Sequence, residues 1–483
     1  MPINIEFTRL RYRRTKIVAT VGPACSDPGT IGRLIEAGVN VFRLNMSHGN
    51  HASHTEVFQT IRQENESRGT HVAILADLCG PKIRCGTFEN GAIELTAGQS
   101  VIVTTEDVIG RDGLIPSAYD KLHLDANQGA RILFDDGKLE LSVESITGRE
   151  LQCRVVQGGT LKDRKGINIP LCKVSAPALT EKDYADARMM LALGVDFLAL
   201  SFTRKAADIE LLKKVVDEFD HPAAIIAKLE NHEGLQNADE IIATSDGIMV
   251  ARGDMGVELN PEEVPVAQTQ LVVAARKQRK PVIVATQMLE SMIDNTQPTR
   301  AEVSDISHAV QSGTDAIMLS GETAAGNYPV EAVEMMDRIA RHNESYQWQT
   351  EASGHFKSTE ATPPIPLHHA IANALSTLSH DLQVYCIFVM SRGGTSALTV
   401  SSARPSAPVI AASAFPRTCR KMNLNWGTVP IETDTDAIEA NPRLAAKLAL
   451  TSFGAQQGDR VLLLEGFNAN PSLHAPAITV LIV

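Results

Sequence analysis

Two short apolar stretches of the chain end in residues suited to binding a metal ion and an anion. Lys228 and Glu230 close the stretch AAIIAKLE, and Arg252, Gly253 and Asp254 close the stretch SDGIMVARGD. A continuous, β-branched apolar run bounded by turn residues predicts a strand buried on both faces, as in a parallel sheet. Side chains alternate along a strand, so Lys228 and Glu230 share one face. Because neighbouring strands lie roughly 4.8 Å apart, we expect Glu230 and Asp254 to hold one divalent ion, with Lys228 beside it.

Lys228 taken alone is equally compatible with a structural lysine in a buried ion-pair network. The arrival of two carboxylates at the same edge of the sheet favours a binding site instead. In a closed barrel of parallel strands, this edge is the mouth formed by the carboxyl ends of the strands, where catalytic groups collect.

Composition excludes several classes of protein. The 483 residues suggest about three domains, or one large barrel with additions, and a 43% hydrophobic content predicts ample core. A net charge of -12 and a pI near 5.6 argue against binding to nucleic acid or anionic membranes. Seven cysteines without a CxxC pair favour a reducing compartment. Residues 1–14 carry no signal-peptide core, and no apolar run approaches the ~20 residues of a membrane span, so we expect a cytoplasmic protein.

Eight strand–helix units follow one another along most of the chain. Alternation of this kind implies parallel strands with right-handed crossovers, and eight units close a (β/α)8 TIM barrel, here residues 1–80 plus 176–345. The alternative is an open doubly wound sheet, but neither GxGxxG nor GxxxxGK[ST] follows any strand. The predicted strands are Lys16–Val21, Val39–Leu44, His71–Leu78, Val195–Ser201, the run from Ala223, Asp246–Ala251, Pro281–Thr286 and Thr314–Ser320.

Residues 81–175 lack helical periodicity and show short alternating strands with turn signals. They predict an all-β domain, a small β-barrel, inserted after the third strand and placed over the mouth as a lid that excludes water. The Asp-Asp-Gly sequence at Asp135–Gly137 resembles a metal-binding pair, but its position between alternating strands favours a hairpin turn.

The last part of the chain predicts a separate α/β domain at residues 367–483, after a polar, proline-rich linker at 346–366. Its predicted strands are Val384–Met390, Val409–Ala412, Val461–Leu464 and Ile478–Val483. The loop SRGGTS opens a helix there, and its amide groups are suited to an anion, although a plain strand–helix turn explains it equally well.

The sequence HGNHASH spaces His48, His51 and His54 three residues apart. Histidines at this spacing suggest a metal-binding helix face. No carboxylate or cysteine completes a ligand set, and the segment has the composition of a helix start, which we therefore predict.

Ten stretches of the chain occur in the order typical of one enzyme family. They are RRTKIVATVGPA, NVFRLNMSHG, LADLCGPKIR, KGINIP, LTEKD, AKLENHEG, VARGDMGVEL, ATQMLESM, PTRAEVSD and MLSGETAAGNYP. On these motifs the chain resembles the pyruvate kinases, densely in the barrel and thinly in the last domain. The resemblance implies transfer of the phosphoryl group of phosphoenolpyruvate to ADP, giving pyruvate and ATP in the last step of glycolysis. It also implies Mg²⁺ or Mn²⁺ as cofactor and a homotetramer.

The resemblance assigns roles that fit the chemistry, because phosphoryl transfer needs positioning and positive charge more than covalent work. It implies that Thr286 lies near the enol carbon to be protonated and that Glu322 belongs to the proton-delivery network. The family motifs match catalytic Lys228, Arg43, Thr286 and Glu322; substrate-binding Arg43, Ser201, Lys228, Gly253, Asp254 and Thr286; metal-binding Glu230 and Asp254; and nucleotide-binding Asn45, His48, Arg84 and Lys165. For Arg84 and Lys165, solvated surface charge is the alternative.

Two regions depart from the commoner family pattern. Many members bind potassium through residues matching Asn45, Ser47, Asp77 and the position after it, with DTKGPEIR in the third motif. This chain has Leu78, which offers no side-chain oxygen, and Lys82, whose ammonium replaces a glutamate and repels a second cation. We therefore expect that K⁺ is not required; a three-ligand cation site with a solvated Lys82 is the alternative.

The second departure is the family's effector loop, which usually has a hydroxyl at the position of Gly393. An anionic effector that binds here is expected to be a sugar monophosphate or AMP rather than a bisphosphate. The matching residues are Ser391, Arg392, Gly394, Thr395 and Ser396.

Two rival functions share much of this pattern. One is a metal-dependent aldolase or lyase that acts through a pyruvate enolate, and it needs neither the convergence of Arg43 and Lys228 nor a lid. The other is a non-catalytic, metabolite-sensing paralogue, against which the intact Lys228, Glu230, Asp254 and Thr286 argue.

Overall fold

The computed structural model describes residues 12–220, 222–349, 364–467 and 475–483. Of the predicted linker, residues 346–349 end a long helix and residues 350–363 lie outside the described residues, as do residues 1–11. The strands within the described parts are β1 Lys16–Val21, β2 Val41–Asn45, β3 Ala73–Asp77, β4 Ala92–Leu95, β5 Ser100–Thr104, β6 Leu114–Pro116, β7 Arg131–Phe134, β8 Leu139–Thr147, β9 Glu150–Gln157, β10 Gly159–Lys162, β11 Ile167–Asn168, β12 Phe197–Leu200, β13 Ala224–Leu229, β14 Gly247–Ala251, β15 Val282–Ala285, β16 Ala316–Leu319, β17 Cys386–Met390, β18 Val409–Ser413, β19 Thr428–Glu432, β20 Arg460–Glu465 and β21 Ala477–Ile482.

The helices alternate with the strands in the barrel and in the last domain. They are α1 Pro28–Ala37, α2 His51–Arg68, α3 Leu122–Asp125, α4 Glu181–Leu193, α5 Ala206–Val216, α6 His232–Gln236, α7 Ala238–Thr244, α8 Arg252–Glu258, α9 Val264–Lys277, α10 Arg300–Gln311, α11 Gly321–Ala324, α12 Pro329–Gln349, α13 Leu367–Asp381, α14 Thr395–Ser402, α15 Pro416–Met422, α16 Thr435–Ala440 and α17 Arg443–Phe453, with a 3-10 helix at Glu290–Ile293. No helix in the described parts is both long and apolar enough to cross a membrane.

Eight parallel strands form a closed barrel in the order β1–β16–β15–β14–β13–β12–β3–β2. The predicted TIM barrel is therefore confirmed. Apolar side chains fill both layers of it. One set, including Ile226, Met249 and Ile283, packs inside the barrel. The alternate set, including Ile225 and Ile248, packs against the surrounding helices. The period of two along each strand thus gives every strand two buried faces.

Local sequence signals set the helix ends around the barrel. Asn50 caps α2 by accepting a hydrogen bond from the Ser53 amide, so the predicted helix start in HGNHASH is confirmed. Thr299 and Glu302 form a capping box at the start of α10. Gly194 ends α4 in the left-handed conformation, at a φ of 84°.

The region between β3 and α4 is all β. It contains a two-stranded sheet, β10–β4, and a six-stranded sheet, β11–β7–β8–β9–β5–β6. Its separate core includes Val103, Ile132 and Phe134. The described strands form two open sheets rather than the predicted small barrel, and isolated bridges such as Arg84 with Gly166 lie outside these strands. We call this region the inserted domain.

The hairpin predicted at Asp135–Gly137 joins β7 to β8. Asp135, Asp136 and Gly137 have φ values of 50°, 56° and 83°. A hairpin turn whose residues have positive φ favours Asp and Gly. The hairpin prediction is therefore confirmed, and the metal-binding alternative is not supported.

The last domain is a five-stranded sheet in the order β19–β18–β17–β20–β21, with β21 antiparallel at one edge. The sequence analysis missed β19. Its Pro430 and polar neighbours break the apolar run that marks a central strand, and this is a pattern tolerated at a sheet edge.

The last domain packs against the amino ends of the barrel strands. Leu424 is 1% exposed and lies in the cluster that fills the barrel interior. Arg420 Nε and Arg62 Nη2 each donate to the Asp196 carboxylate at 2.8 Å. Arg404 Nη1 donates to Asp315 Oδ1 at 2.8 Å. The barrel floor is therefore closed by an apolar plug and surrounded by buried ion pairs.

Replacing this plug should loosen the domain contact. We expect Leu424→Ala to destabilise the protein by about 2–5 kcal/mol, because a fully buried leucine leaves both lost burial and a cavity. Urea unfolding followed by circular dichroism measures the change. Leu211→Ala, at a position 40% exposed, is the control and should shift the midpoint little. Equal shifts for the two variants would show that Leu424 does not act as a plug.

Candidate active site

The carboxyl ends of the barrel strands bring the predicted catalytic residues to one mouth. These residues lie on or directly after β2, β13, β14, β15 and β16. In strand order they are Arg43, Lys228, Glu230, Gly253, Asp254, Thr286 and Glu322.

Lys228 is buried and donates from Nζ to Ser201 Oγ at 2.7 Å. Nζ also lies 3.4 Å from Asp77 Oδ1 and 3.4 Å from Glu230 Oε2. Burial opposes the charge on this ammonium, but the carboxylates of Asp77, Glu230 and Asp254 outweigh burial and raise the pKa of Lys228. Lys228 is therefore a permanent, pre-positioned cation.

Arg43 points to the same carboxylate as Lys228. Its Nε and Nη2 each lie 2.7 Å from Asp77 Oδ2, and its Nη1 donates to Thr20 Oγ1 at 3.1 Å. Burial disfavours the charge on Asp77, but Lys228 and Arg43 more than compensate and hold its pKa below the usual range. One ionised carboxylate thus holds two cations close together.

Glu230 offers an oxygen suited to a metal ion. Its Oε1 accepts from the Phe202 amide at 2.7 Å. Its Oε2 is buried, accepts no hydrogen bond from any described residue, and lies 3.4 Å from Lys228 Nζ as an ion pair. Burial raises the pKa of Glu230 to about 7, and the repulsion of Asp254 adds to it while Lys228 opposes it. A buried carboxylate oxygen without a donor fits a divalent cation, which would relieve this repulsion.

Two carboxylates, Glu230 and Asp254, are the predicted protein ligands of the divalent ion. Among the described residues, no group of three or more His, Cys, Asp or Glu side chains converges in a metal-binding arrangement. Glu230 and Asp254 together suit Mg²⁺, which keeps several waters and takes few protein ligands alongside substrate oxygens.

Thr286 adopts a backbone conformation that few threonines adopt. Its φ is 72° and that of Gln287 is 55°. Such residues cost of order 1–3 kcal/mol each and persist when surrounding contacts fix them. Here Thr286 Oγ1 accepts from the Gly253 amide at 2.7 Å and donates to the Ala285 carbonyl at 2.6 Å. The Gly253 amide predicted to bind substrate is thus bonded to Thr286 in this structure.

Arg252 is a residue to which the sequence analysis gave no role. Its Nη2 donates to the Thr286 carbonyl at 2.5 Å and its Nε to the Ala285 carbonyl at 3.2 Å. Nη1 donates to Asp305 Oδ1 at 2.6 Å. Arg252 therefore stabilises the unusual turn at Thr286, and its place at the end of β14 was the only signal for it.

Glu322 is buried, and both of its carboxylate oxygens accept hydrogen bonds from the backbone. Oε1 accepts from the Leu289 amide at 3.0 Å and Oε2 from the Ser320 amide at 2.7 Å. These contacts fix the loops after β15 and β16. They favour a positioning role, and the part of Glu322 in proton delivery stays a prediction.

Two of the predicted nucleotide residues, Asn45 and His48, belong to the barrel, and two, Arg84 and Lys165, belong to the inserted domain. On the barrel, the His48 amide donates to the Asn45 carbonyl at 3.2 Å. On the inserted domain, Arg84 Nη1 donates to the Arg164 carbonyl at 3.0 Å, and Lys165 Nζ lies 2.8 Å from Asp135 Oδ1. Lys165 therefore forms an ion pair in this structure, as the surface-charge alternative expects.

A cleft of about 280 Å³ separates the inserted domain from the barrel. Lys82, Asp136 and Asn168 line it from the inserted domain, and Asp254 and Glu258 line it from the barrel. Asn168 Nδ2 donates across the cleft to Glu258 Oε1 at 3.2 Å. The inserted domain therefore touches α8, the helix that carries Asp254.

The same architecture occurs in known enzymes. A family model described as pyruvate kinase, barrel domain, matches residues 12–333, and one described as pyruvate kinase, alpha/beta domain, matches residues 369–480. The chain belongs to the pyruvate kinase family. It is 41% identical to a pyruvate kinase of Mycobacterium intracellulare over 462 residues, which cover 94% of this chain and 95% of that one. It is 41% identical to one of Geobacillus stearothermophilus over 459 residues, covering 94% of this chain and 78% of that one.

Structural similarity agrees with the sequence matches. The crystal structure of a pyruvate kinase from Cryptosporidium parvum has a TM-score of 0.89 to this chain at 35% identity. The match covers 97% of this chain and 96% of that one. Family membership favours phosphoryl transfer over the aldolase, lyase and sensor alternatives.

The region where many pyruvate kinases bind potassium has few unoccupied oxygens here. Asn45 Oδ1 accepts from the Ser47 amide at 3.1 Å, and the Asp77 carboxylate contacts Arg43 and Lys228. Leu78 is 1% exposed. Lys82 is exposed and lines the cleft. Its Cε lies close to Gly166, at 3.3 Å from the position that a Cβ on Gly166 would take.

The effector-loop residues open α14 as the strand–helix pattern predicts. Gly394, at a φ of 90°, precedes the helix, and Ser391 Oγ accepts from the Ala397 amide at 3.3 Å. Arg392 Nη2 lies 3.2 Å from Asp436 Oδ1, and both side chains are exposed. The structure thus pairs Arg392 with a carboxylate.

The buried Oε2 of Glu230, which accepts no hydrogen bond from the described residues, leads to a prediction about metal binding. Glu230→Gln should weaken Mn²⁺ binding by about tenfold or more, because it removes a ligand charge without changing the side-chain volume. Titration followed by electron paramagnetic resonance of free Mn²⁺ measures the affinity. Glu262→Gln, at an exposed position, is the matched control. Unchanged affinity in the Glu230 variant would exclude this carboxylate as a ligand.

Proposed function

We propose that this chain transfers the phosphoryl group of phosphoenolpyruvate to ADP, giving pyruvate and ATP, and that Lys228 and Arg43 carry the step. The observation behind this proposal is the contact of both cations with the single carboxylate of Asp77. Two rigidly held cations suit a moving phosphoryl group, whose charge is spread over its oxygens. The proposal rests also on membership in the pyruvate kinase family.

The other residues take the roles that the family motifs imply. Glu230 and Asp254 would hold Mg²⁺ or Mn²⁺, which would supply positive charge to neutralise the phosphoryl group. Ser201 assists beside Lys228, whose Nζ donates to the Ser201 hydroxyl. The amides of Gly253 and Asp254 bind the substrate carboxylate, so Thr286 Oγ1 must release the Gly253 amide when the substrate arrives. Thr286 then lies beside the enol carbon, with Glu322 fixing the loop that follows.

In this proposal the nucleotide binds between the barrel and the inserted domain. Asn45 and His48 contact it from the barrel, and Arg84 and Lys165 contact it from the inserted domain. Lys165 must leave Asp135 to reach a phosphate. This requirement gives the inserted domain the role of a lid that delivers charge as well as excluding water.

Lys228→Met tests the central assignment. We expect phosphoryl transfer to fall by about a thousandfold or more, because a pre-positioned cation stabilises the transition state by several kcal/mol. Enolisation of pyruvate, measured as deuterium exchange of its methyl group, should fall less. The assay couples pyruvate formation to lactate dehydrogenase in the presence of phosphoenolpyruvate, ADP and magnesium.

Lys214→Met, at an exposed position on α5, is the matched control and should retain full activity. A Lys228 variant with near wild-type transfer would make Lys228 structural and the central proposal wrong. If the wild-type protein is inactive in this assay, the proposed phosphoryl transfer is wrong and the aldolase, lyase and sensor alternatives are favoured.

We propose also that this enzyme works without potassium. Supporting this are the buried Leu78, which has no side-chain oxygen, and an Asp77 carboxylate already neutralised by two cations. With Lys82 nearby in sequence, a further monovalent cation gains too few oxygen ligands.

Potassium dependence is measurable in Tris or tetramethylammonium buffer containing magnesium. We expect added potassium to stimulate the wild type by less than about tenfold, or about 1.4 kcal/mol of activation free energy. Lys82→Glu should shift the enzyme towards needing the ion, whereas Lys162→Glu, an exposed control on β10, should not. Stimulation beyond this value in the wild type would contradict the proposal.

The last domain is proposed to be regulatory. A sugar monophosphate or AMP would bind Ser391, Arg392, Gly394, Thr395 and Ser396 at the start of α14, with Arg392 released from Asp436. The proposed domain bounds are 1–80 plus 176–345 for the barrel, 81–175 for the lid, 346–366 for the linker, of which 346–349 continue α12, and 367–483 for the regulatory domain.

A homotetramer is proposed because the chain presents two apolar surfaces suited to copies of itself. The edge strand β21 exposes Val480 and Ile482, at 47% and 72%. An unpaired edge of this kind accepts an identical strand across a two-fold axis. On α9, Val266 and Val273 are 56% and 43% exposed and lie two helical turns apart. A cytoplasmic location in glycolysis is proposed on the seven unpaired cysteines.

A further inference from the structure

Residues 201–205 connect β12 to α5, and we call the first four of them, Ser201, Phe202, Thr203 and Arg204, loop 201–204. The first two contact the site directly. Ser201 Oγ accepts from Lys228 at 2.7 Å and donates to the Leu78 carbonyl at 2.7 Å. The Phe202 amide donates to Glu230 Oε1 at 2.7 Å. Phe202 has a φ of 53°, which a bulky residue adopts only where its contacts fix it.

The chain crosses from the barrel into the inserted domain beside this loop. Gly80, at a φ of 69°, lies so close that an added Cβ would be 3.0 Å from Phe202 Cδ2 and 3.1 Å from Ser201 Cβ. The Gly80 amide donates to Asp183 Oδ1 at 3.1 Å. The first crossing is thereby packed against loop 201–204.

The chain returns to the barrel at residues 174–176, and Arg204 holds this second crossing. Its Nη1 donates to the Val174 carbonyl, and its Nη2 donates to the Ala176 carbonyl at 2.7 Å. The guanidinium is oriented by Asp208, which is 2% exposed and lies 3.7 Å from Arg204 Nε. Asn237 Nδ2 donates to the Arg204 carbonyl at 2.8 Å. The planar fork can bind two carbonyls at once, which a lysine ammonium does not reproduce.

We propose that Arg204 is a positioning residue that fixes the inserted domain over the mouth relative to Glu230 and Lys228. The same short loop supplies the Phe202 amide to Glu230, the Ser201 hydroxyl to Lys228 and the Arg204 fork to the second crossing. Arg204 therefore sets how Arg84 and Lys165 of the inserted domain approach the nucleotide. This role rests on the proposed phosphoryl transfer and adds a residue to it that touches neither substrate nor metal.

The test compares Arg204→Met and Arg204→Lys with the wild type in steady-state assays with phosphoenolpyruvate and ADP. We expect Arg204→Met to raise the KM for ADP by about tenfold, because misplacement of the nucleotide contacts weakens that substrate selectively. The KM for phosphoenolpyruvate should change much less, since its predicted contacts lie on the barrel. Arg204→Lys should recover part of the loss, because one ammonium can still donate to one carbonyl.

Amide hydrogen exchange supplies a readout that does not depend on turnover. In Arg204→Met, we expect faster exchange in residues 167–176 and unchanged exchange in the barrel strands. Arg188→Met is the control for loss of an arginine. Arg188 lies on α4 and forms an exposed ion pair with Glu218, and its replacement should match the wild type in both measurements.

Three outcomes separate the proposals. Unchanged KM values and unchanged exchange in Arg204→Met would overturn the positioning role. A uniform rise in both KM values with a lower unfolding midpoint would overturn it too, since a purely structural residue acts in this way. If the wild type fails to use phosphoenolpyruvate and ADP, the proposed function is wrong, and the role of Arg204 in that reaction is overturned with it, whatever the exchange shows about the second crossing.

Discussion

The contact of Arg43 and Lys228 with the Asp77 carboxylate is the interaction on which the rest of the site depends. Two cations that contact the same carboxylate repel each other in a buried environment, and the ionised carboxylate of Asp77 offsets that repulsion. Glu230 and Asp254 add negative charge on the other side of Lys228. Three carboxylates, when all are ionised, face two cations and leave a formal charge of −1, so a divalent ion bound here would favour an anionic substrate.

The barrel was predictable because its strands are continuous apolar runs. β1 was predicted with its observed bounds, β2 extends one residue beyond its predicted run to Asn45, and the other six barrel strands lie within theirs, since burial on both faces leaves little room for polar residues. The edge strand β19 was not predictable in this way, because an edge tolerates Pro430 and polar side chains. The openness of the sheets in the inserted domain depends on which strand edges meet, and alternation within each strand does not specify that.

The site was predictable in its members and not in its contacts. Charged residues at the ends of apolar strands located Lys228, Glu230 and Asp254. The hydrogen bonds of Glu230 with the Phe202 amide and of Thr286 with the Gly253 amide were not predictable. Both depend on positive φ at a phenylalanine or a threonine, which has no local sequence signature because such residues rarely adopt it. The role of Arg252 was missed for the same reason, since its partners are the carbonyls of that unusual turn.

β12 connects the two ends of the barrel by a short route. At its amino end, Asp196 accepts hydrogen bonds from Arg420 of the last domain and Arg62 of α2. At its carboxyl end, loop 201–204 contacts Lys228, Glu230 and the second crossing into the inserted domain. Between them lie the four fully packed residues Phe197–Leu200, hydrogen-bonded to β13 and β3. Close-packed interiors leave little room for a strand held on both sides to move independently of its neighbours. Asp196 and β12 thus link α15 of the last domain to loop 201–204 by a continuous series of hydrogen bonds and packing contacts.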